Sequence, residues 1–69
     1  MKRLVFTFSL RDVQEASLRI KDWTKFGEFT STNVYETEEL DEDEIYDIRE
    51  GFEAYPLLGL EYESKIVNV

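Results

Sequence analysis

The chain has no cysteine and no histidine, one proline, three glycines and only eight lysines and arginines among its 69 residues. Without cysteine no disulfide can staple the fold and no thiolate can hold a metal, so the expected location is the cytoplasm rather than an oxidising exterior. The same absence removes a thiol nucleophile, and the missing histidine removes the usual base poised near neutral pH. Ser9, Ser17, Ser31 and Ser64 therefore lack an imidazole to activate them, and no local motif suggests a Ser–Lys pair. Glycines at 27, 51 and 59 are too scattered for a phosphate cradle or a dinucleotide fingerprint. Close carboxylate pairs are expected by chance among sixteen acids, so they do not point to glycoside hydrolysis. No apolar run is long enough to span a bilayer, and Met1-Lys2-Arg3 leads into an alternating segment rather than a signal-peptide core. The expectation is a protein with no catalytic residues, no cofactor, no metal and no membrane partner.

What is present is acid, placed unevenly. Residues 1–25 carry six bases and three acids, whereas residues 26–69 carry thirteen acids against Arg49 and Lys65 alone, within a total of −8. Ten of those acids lie between Glu36 and Glu53. Such a field repels nucleic acid and anionic membranes and attracts basic proteins. It also opposes compactness in a domain that buries only about 60% of its unfolded surface.

Residues 2–10 alternate, with Leu4, Phe6, Phe8 and Leu10 on one side, which predicts a strand with one buried face. Asp12 and Glu15 have the form of a capping box, and Val13, Ala16, Ile20 and Trp23 recur at helical spacing, predicting a helix from Asp12 to Phe26 stopped at Gly27. A strand over residues 16–20 is the rival for that segment. Phe29 to Thr37 reads as a second strand, with Asn33 an irregularity. Asp41 and Glu44 form another box, and Ile45, Ile48, Phe52 and Tyr55 predict a second helix ending near Tyr55, before Pro56. Gly51 weakens that helix by about 1 kcal/mol relative to alanine. Leu60 to Val69 reads as the last strand. The expected fold is thus a single α+β domain over residues 1–69, a small three-stranded sheet with two helices in the order β-α-β-α-β. If both helices share one sheet face, the other stays open, and Val5 with one of Val34 and Tyr35 becomes available for burial in a homodimer.

The acidic run bears on two chemistries, calcium binding and imitation of a phosphate backbone. Aligning Asp41 and Asp43 with the first ligands of a calcium loop places Tyr46 where the turn needs glycine and Phe52 where the bidentate acid belongs, so the loop motif fails. On a helical wheel Asp43, Asp47 and Glu50 point away from the apolar stripe, with Glu42 and Glu53 flanking them. Carboxylates three and four residues apart lie about 5–6 Å from one another, close to the phosphate spacing along a DNA strand. Glu36, Glu38, Glu39 and Asp41 extend the row. Almost no lysine or arginine is interleaved, although solubility alone would be served by mixed charge. Tyr46 on the acidic side is an anchor for an interface that charge steers together, Leu18 is a second exposed apolar residue, and Trp23 belongs to the core.

In its size, its lack of cysteine and histidine and its Glu36–Glu53 acidic run, the chain resembles the small acidic inhibitors that bacteriophages direct against host DNA-binding proteins. That resemblance is one of kind, without a shared motif or fold, and carries over no functional residue. It implies a mechanism, namely occupation of a Lys/Arg-lined groove in the host cytoplasm and displacement of DNA. The expected partner is a basic DNA-binding protein, first a nucleoid-associated protein such as HU, then a Cas effector or RNA polymerase. The expected partner-binding residues are Glu38, Asp41, Asp43, Tyr46, Asp47, Glu50 and Glu53. An adaptor docking through the open sheet face is the alternative. Direct nucleic-acid binding through Lys2, Arg3, Arg11 and Lys21 is opposed by the acidic remainder.

Overall fold

Alternation in the first residues becomes strand β1 (Lys2–Phe8) in a computed structural model, which describes every residue of the chain except the side chains of Asp22 and Thr24. Helix α1 (Val13–Arg19), a 3-10 helix (Lys21–Phe26), β2 (Gly27–Ser31), β3 (Val34–Thr37), α2 (Glu42–Ala54) and β4 (Tyr62–Asn68) follow. The strands form one four-stranded sheet in the order β2-β3-β1-β4, antiparallel at every junction. Each helix connects two strands of like direction with a third strand inserted between them, the split arrangement of ferredoxin-like β-α-β-β-α-β topology.

The fold is α+β as expected, but with four strands instead of three. The Phe29–Thr37 segment is two strands joined at Thr32-Asn33. Among the described residues no non-glycine has positive φ, so the turn lacks the twist that suits a two-residue hairpin, and the register shifts between Phe29 and Ser31 instead. Asn33 ties the turn to β1: its side-chain amide donates to the Phe8 carbonyl at 3.0 Å, and its carbonyl accepts from the Phe8 N–H at 2.9 Å.

The predicted first helix is also divided. Ile20, Trp23 and Phe26 recur every three residues, which suits a 3-10 helix, and the Trp23 N–H bonds back to the Ile20 carbonyl at 2.9 Å. Asp12 does not cap α1. Its carboxylate instead accepts from the Glu61 N–H at 2.9 Å, and that bond is the main cause of its lowered pKa. Helix α2 matches its prediction closely, with Asp41 capping the Glu44 N–H at 2.9 Å. Tyr55 leaves the apolar stripe because the backbone turns away there; it is 78% exposed, and Leu57 fills the core in its place. Leu10 likewise lies beyond the end of β1 and is exposed.

Leu4, Phe6 and Phe8 of β1, Tyr35 of β3, Ala16 and Ile20 from the first helical segment, and Ile45, Ile48 and Phe52 of α2 form one core. Both helices therefore cover the same sheet face. No helix among the described residues is long and apolar enough to cross a membrane. Within the core the Tyr35 hydroxyl donates to the Trp23 carbonyl at 3.0 Å. Burial, aided by the Glu38 carboxylate, pushes its pKa from 10.0 up to about 12.

A raised folded-state pKa contributes stability that is whole below the unfolded value and is lost as pH climbs through the folded one. Urea unfolding of the wild type should accordingly lose about 2–3 kcal/mol from this group between pH 10 and 12. In Tyr35→Phe that component of the slope should vanish, leaving the smaller one from Tyr62, whose pKa is also raised, chiefly by burial.

Candidate acidic interface

Helix α2 presents three distinct surfaces beyond its buried Ile45, Ile48 and Phe52. One flank meets the 3-10 helix: the Trp23 ring passes over Gly51, and Glu44 and Asp47 border the same depression as Trp23 and Phe26. The opposite flank meets the sheet. There Lys2 Nζ reaches Glu42 at 3.1 Å and Arg49 Nε reaches Glu53 at 3.3 Å. Between the flanks, at the outer pole, stand Asp43, Tyr46 and Glu50, with Asp47 beside them. Tyr46 is 66% exposed and lies one helical turn from both Asp43 and Glu50.

The acids of α2 divide by the local field. Glu42, Asp43 and Glu44 occupy the first turn, where the helix dipole favours negative charge, and Asp41 is committed to the cap. The last turn contains no base, so Glu53 opposes the dipole there. Arg49 relieves Glu53. Asp43, Asp47 and Glu50 have no basic group within 4.0 Å among the described residues, and each like-charge pair in that row costs about 0.2–0.5 kcal/mol. Helix geometry thus offers Asp43 a stabilising role but offers none to Asp47 or Glu50.

Not every expected site residue joins this row. Glu38 lines a depression with Arg3, Lys25, Glu28 and Glu36, on the side of the sheet that no helix covers. Sheet register places Glu28 directly opposite Glu36, giving the open face an acidic character of its own. That surface was hidden from the sequence because opposition across strands depends on the hairpin that went unpredicted. The basic residues of the N-terminal third do not gather into a patch. Lys2 pairs with Glu42, Arg11 with Glu61 and Arg19 with Glu15, while Arg3 lies among the sheet-face glutamates. No three carboxylates converge closely enough to hold a metal ion among the described residues.

The depression between Trp23, Phe26 and Ile48, rimmed by Glu44 and Asp47, also escaped the sequence reading, which placed Trp23 wholly in the core. Trp23 is only partly buried, packing on Phe52 at 5.3 Å and on Phe26 at 5.8 Å between ring centroids. A notch with aromatic walls and a carboxylate rim suits the apolar stem and charged head of a lysine or arginine. Lys25 already shows the pairing, its Nζ lying 5.0 Å from the Phe26 ring centroid.

These features define a class: a small α+β domain with an acidic helix whose outer row has no ion pair among the described residues, packed beside an aromatic notch. The chain matches no protein-family model, no curated protein and no solved structure.

Proposed function

We propose that this protein is an acidic DNA mimic, a binding protein and not an enzyme, which occupies the DNA-binding groove of a basic bacterial protein and excludes DNA by competition. A nucleoid-associated protein such as HU is the first target to consider, because binding dominated by phosphate contacts can be imitated without base edges. A Cas effector or RNA polymerase comes next. The observation that carries the reading is the exposed Asp43, Asp47 and Glu50 row, which has no basic partner within 4.0 Å among the described residues and runs toward a helix end without a base. A protein keeps such a row at a cost to its own stability, and a Lys/Arg-lined groove relieves the repulsion on binding. Glu53 and Glu38 extend the negative field at its margins, Asp41 holds the helix start, and Tyr46 supplies apolar contact at the centre.

Docking through the open sheet face draws less support. Val5, the central apolar residue there, is only 8% exposed, and Glu36 and Lys65 stand opposite it on the adjacent strands.

The test is retention of bacterial lysate proteins on the immobilised chain, eluted by a salt gradient, against the variant Asp43→Asn/Asp47→Asn/Glu50→Gln. The expected result is a DNA-binding protein that leaves at moderate salt and binds the variant about tenfold more weakly or worse. DNA should compete it from the wild type. A partner held equally by the variant would move the interface to the sheet face and overturn the acidic-helix assignment. These three side chains are exposed and make no hydrogen bond or ion pair, so the variant should stay folded, the relieved repulsion along the row offsetting the dipole interaction that Asp43→Asn gives up.

A further inference from the structure

The two edges of the sheet are not alike. On one side β2 is short and irregular, with its register broken between Phe29 and Ser31, a device that discourages pairing with another chain. On the other, β4 runs from Tyr62 to Asn68 in unbroken register with β1 and contains neither proline nor bulge. Its outer side has no partner in the sheet.

Backbone hydrogen bonds fix which residues face that free edge. Lys2 exchanges both its N–H and its carbonyl with Leu40, on the β3 side of β1, so the even-numbered residues of β1 turn toward β3 and the odd-numbered ones toward β4. The Ser9 N–H bonds to the Glu61 carbonyl, and the Val69 N–H to that of Met1, which extends the same parity to β4. Glu63, Lys65 and Val67 therefore turn their backbone groups to β1. Tyr62, Ser64 and Ile66 present theirs outward.

We infer that the occupant of this edge is a second copy of the chain, joined antiparallel through β4 about a two-fold axis at Ser64. This axis pairs Tyr62 with Ile66, Ser64 with Ser64 and Glu63 with Lys65 across the junction. The outward residues meet as hydrogen-bonded pairs, and Glu63 meets Lys65 in the closer, non-hydrogen-bonded position, twice by symmetry. Neither Glu63 nor Lys65 has an ion-pair partner among the described residues of its own chain. On the helix side Tyr62 covers Ile66, which is 41% exposed in the single chain. Axes at neighbouring outward positions lack this match: one at Tyr62 sets Glu61 against Glu63, and one at Ile66 sets Lys65 against Val67. The union joins two four-stranded sheets into one eight-stranded sheet with all helices on one face. The pairing leaves the outer pole of α2 uncovered and does not depend on the acidic-interface reading.

The register is tested with Ser64→Cys, because the chain has no other cysteine. Directly opposed residues of a hydrogen-bonded pair stand about 5.5 Å apart at Cα, within disulfide range. Mild oxidation should crosslink Ser64→Cys nearly completely and leave Lys65→Cys mostly uncrosslinked. Without oxidant, sedimentation at physiological salt should give twice the 8.2 kDa chain mass for the wild type. Lys65→Glu should give the single-chain mass, and Glu63→Lys/Lys65→Glu should restore the dimer. Ser64→Pro removes only an outward N–H, so it should abolish the dimer while keeping a folded circular-dichroism spectrum. A wild type that stays monomeric at millimolar concentration, as it would if the edge served a peptide from another protein, overturns the inference. So does a dimer that survives both Lys65→Glu and Ser64→Pro.

Discussion

Replacing Phe52 with alanine should leave the chain largely unfolded in buffer without denaturant. Phe52 is fully buried where α2 meets the sheet and the 3-10 helix, and its ring lies edge-on to Phe6 at 5.2 Å and to Tyr35 at 5.7 Å, with Trp23 at 5.3 Å. Truncation removes contacts with three elements at once, and such substitutions cost about 3–5 kcal/mol. A 69-residue domain has a total stability of about 3–10 kcal/mol, and small size with unrelieved negative charge places this one toward the lower end. Far-ultraviolet circular dichroism in a urea titration is the measurement, and loss of the folded baseline at zero urea is the expected result. Phe52→Leu, which keeps most of the apolar volume, should retain a cooperative transition at reduced urea. Leu18→Ala, on the exposed side of α1, should change stability by no more than about 0.5 kcal/mol. A Phe52→Ala variant as stable as Leu18→Ala would show that the aromatic cluster is not what holds the layers together.

That cluster was partly legible in the sequence. Strict alternation gave the inner face of β1, and the Asp41 cap, the Ile45-Ile48-Phe52 spacing and Pro56 gave α2 almost to the residue, because these signals are local. The hairpin between β2 and β3 was not legible, since Thr32-Asn33 carries no glycine or proline to mark a turn. What holds it is Asn33 bonded to Phe8, twenty-five residues away in the chain. The 3-10 segment escaped for a related reason: a spacing of three fits either helix type over so short a stretch, and the packing of Trp23 against Phe52 decides between them. The outer row of α2 could be read directly, because its geometry follows from helical period alone. The aromatic notch and the Glu28–Glu36 opposition could not, because each depends on how one element lies against another.

Gly27 shows how a correct signal can be given the wrong cause. In the sequence it looks like the stop of a helix, whereas in the fold it opens β2 opposite Thr37, in close contact with the β3 backbone. A Cβ there would overlap the Glu36 carbonyl oxygen and lie 2.6 Å from Thr37 Cα and 2.8 Å from the Glu36 carbonyl carbon. These are main-chain atoms, and they cannot rotate aside. Thr37 is itself fixed, because its buried Oγ1 accepts the Leu4 N–H at 2.9 Å and donates to the Glu38 carbonyl at 3.0 Å. Gly27→Ala should therefore cost about 3 kcal/mol, at the upper end for overpacking, even though alanine loses less backbone entropy on folding. Gly59 provides the contrast: it has space around it but a φ of +83°, so Gly59→Ala meets backbone strain of about 1–2 kcal/mol without any clash. Urea midpoints of the two variants measure the difference. A Gly27→Ala midpoint at or above that of Gly59→Ala would mean that β2 can move away from β3 at little cost, and that the start of the hairpin is held by Phe29 and Tyr35 rather than by the backbone contact at Gly27.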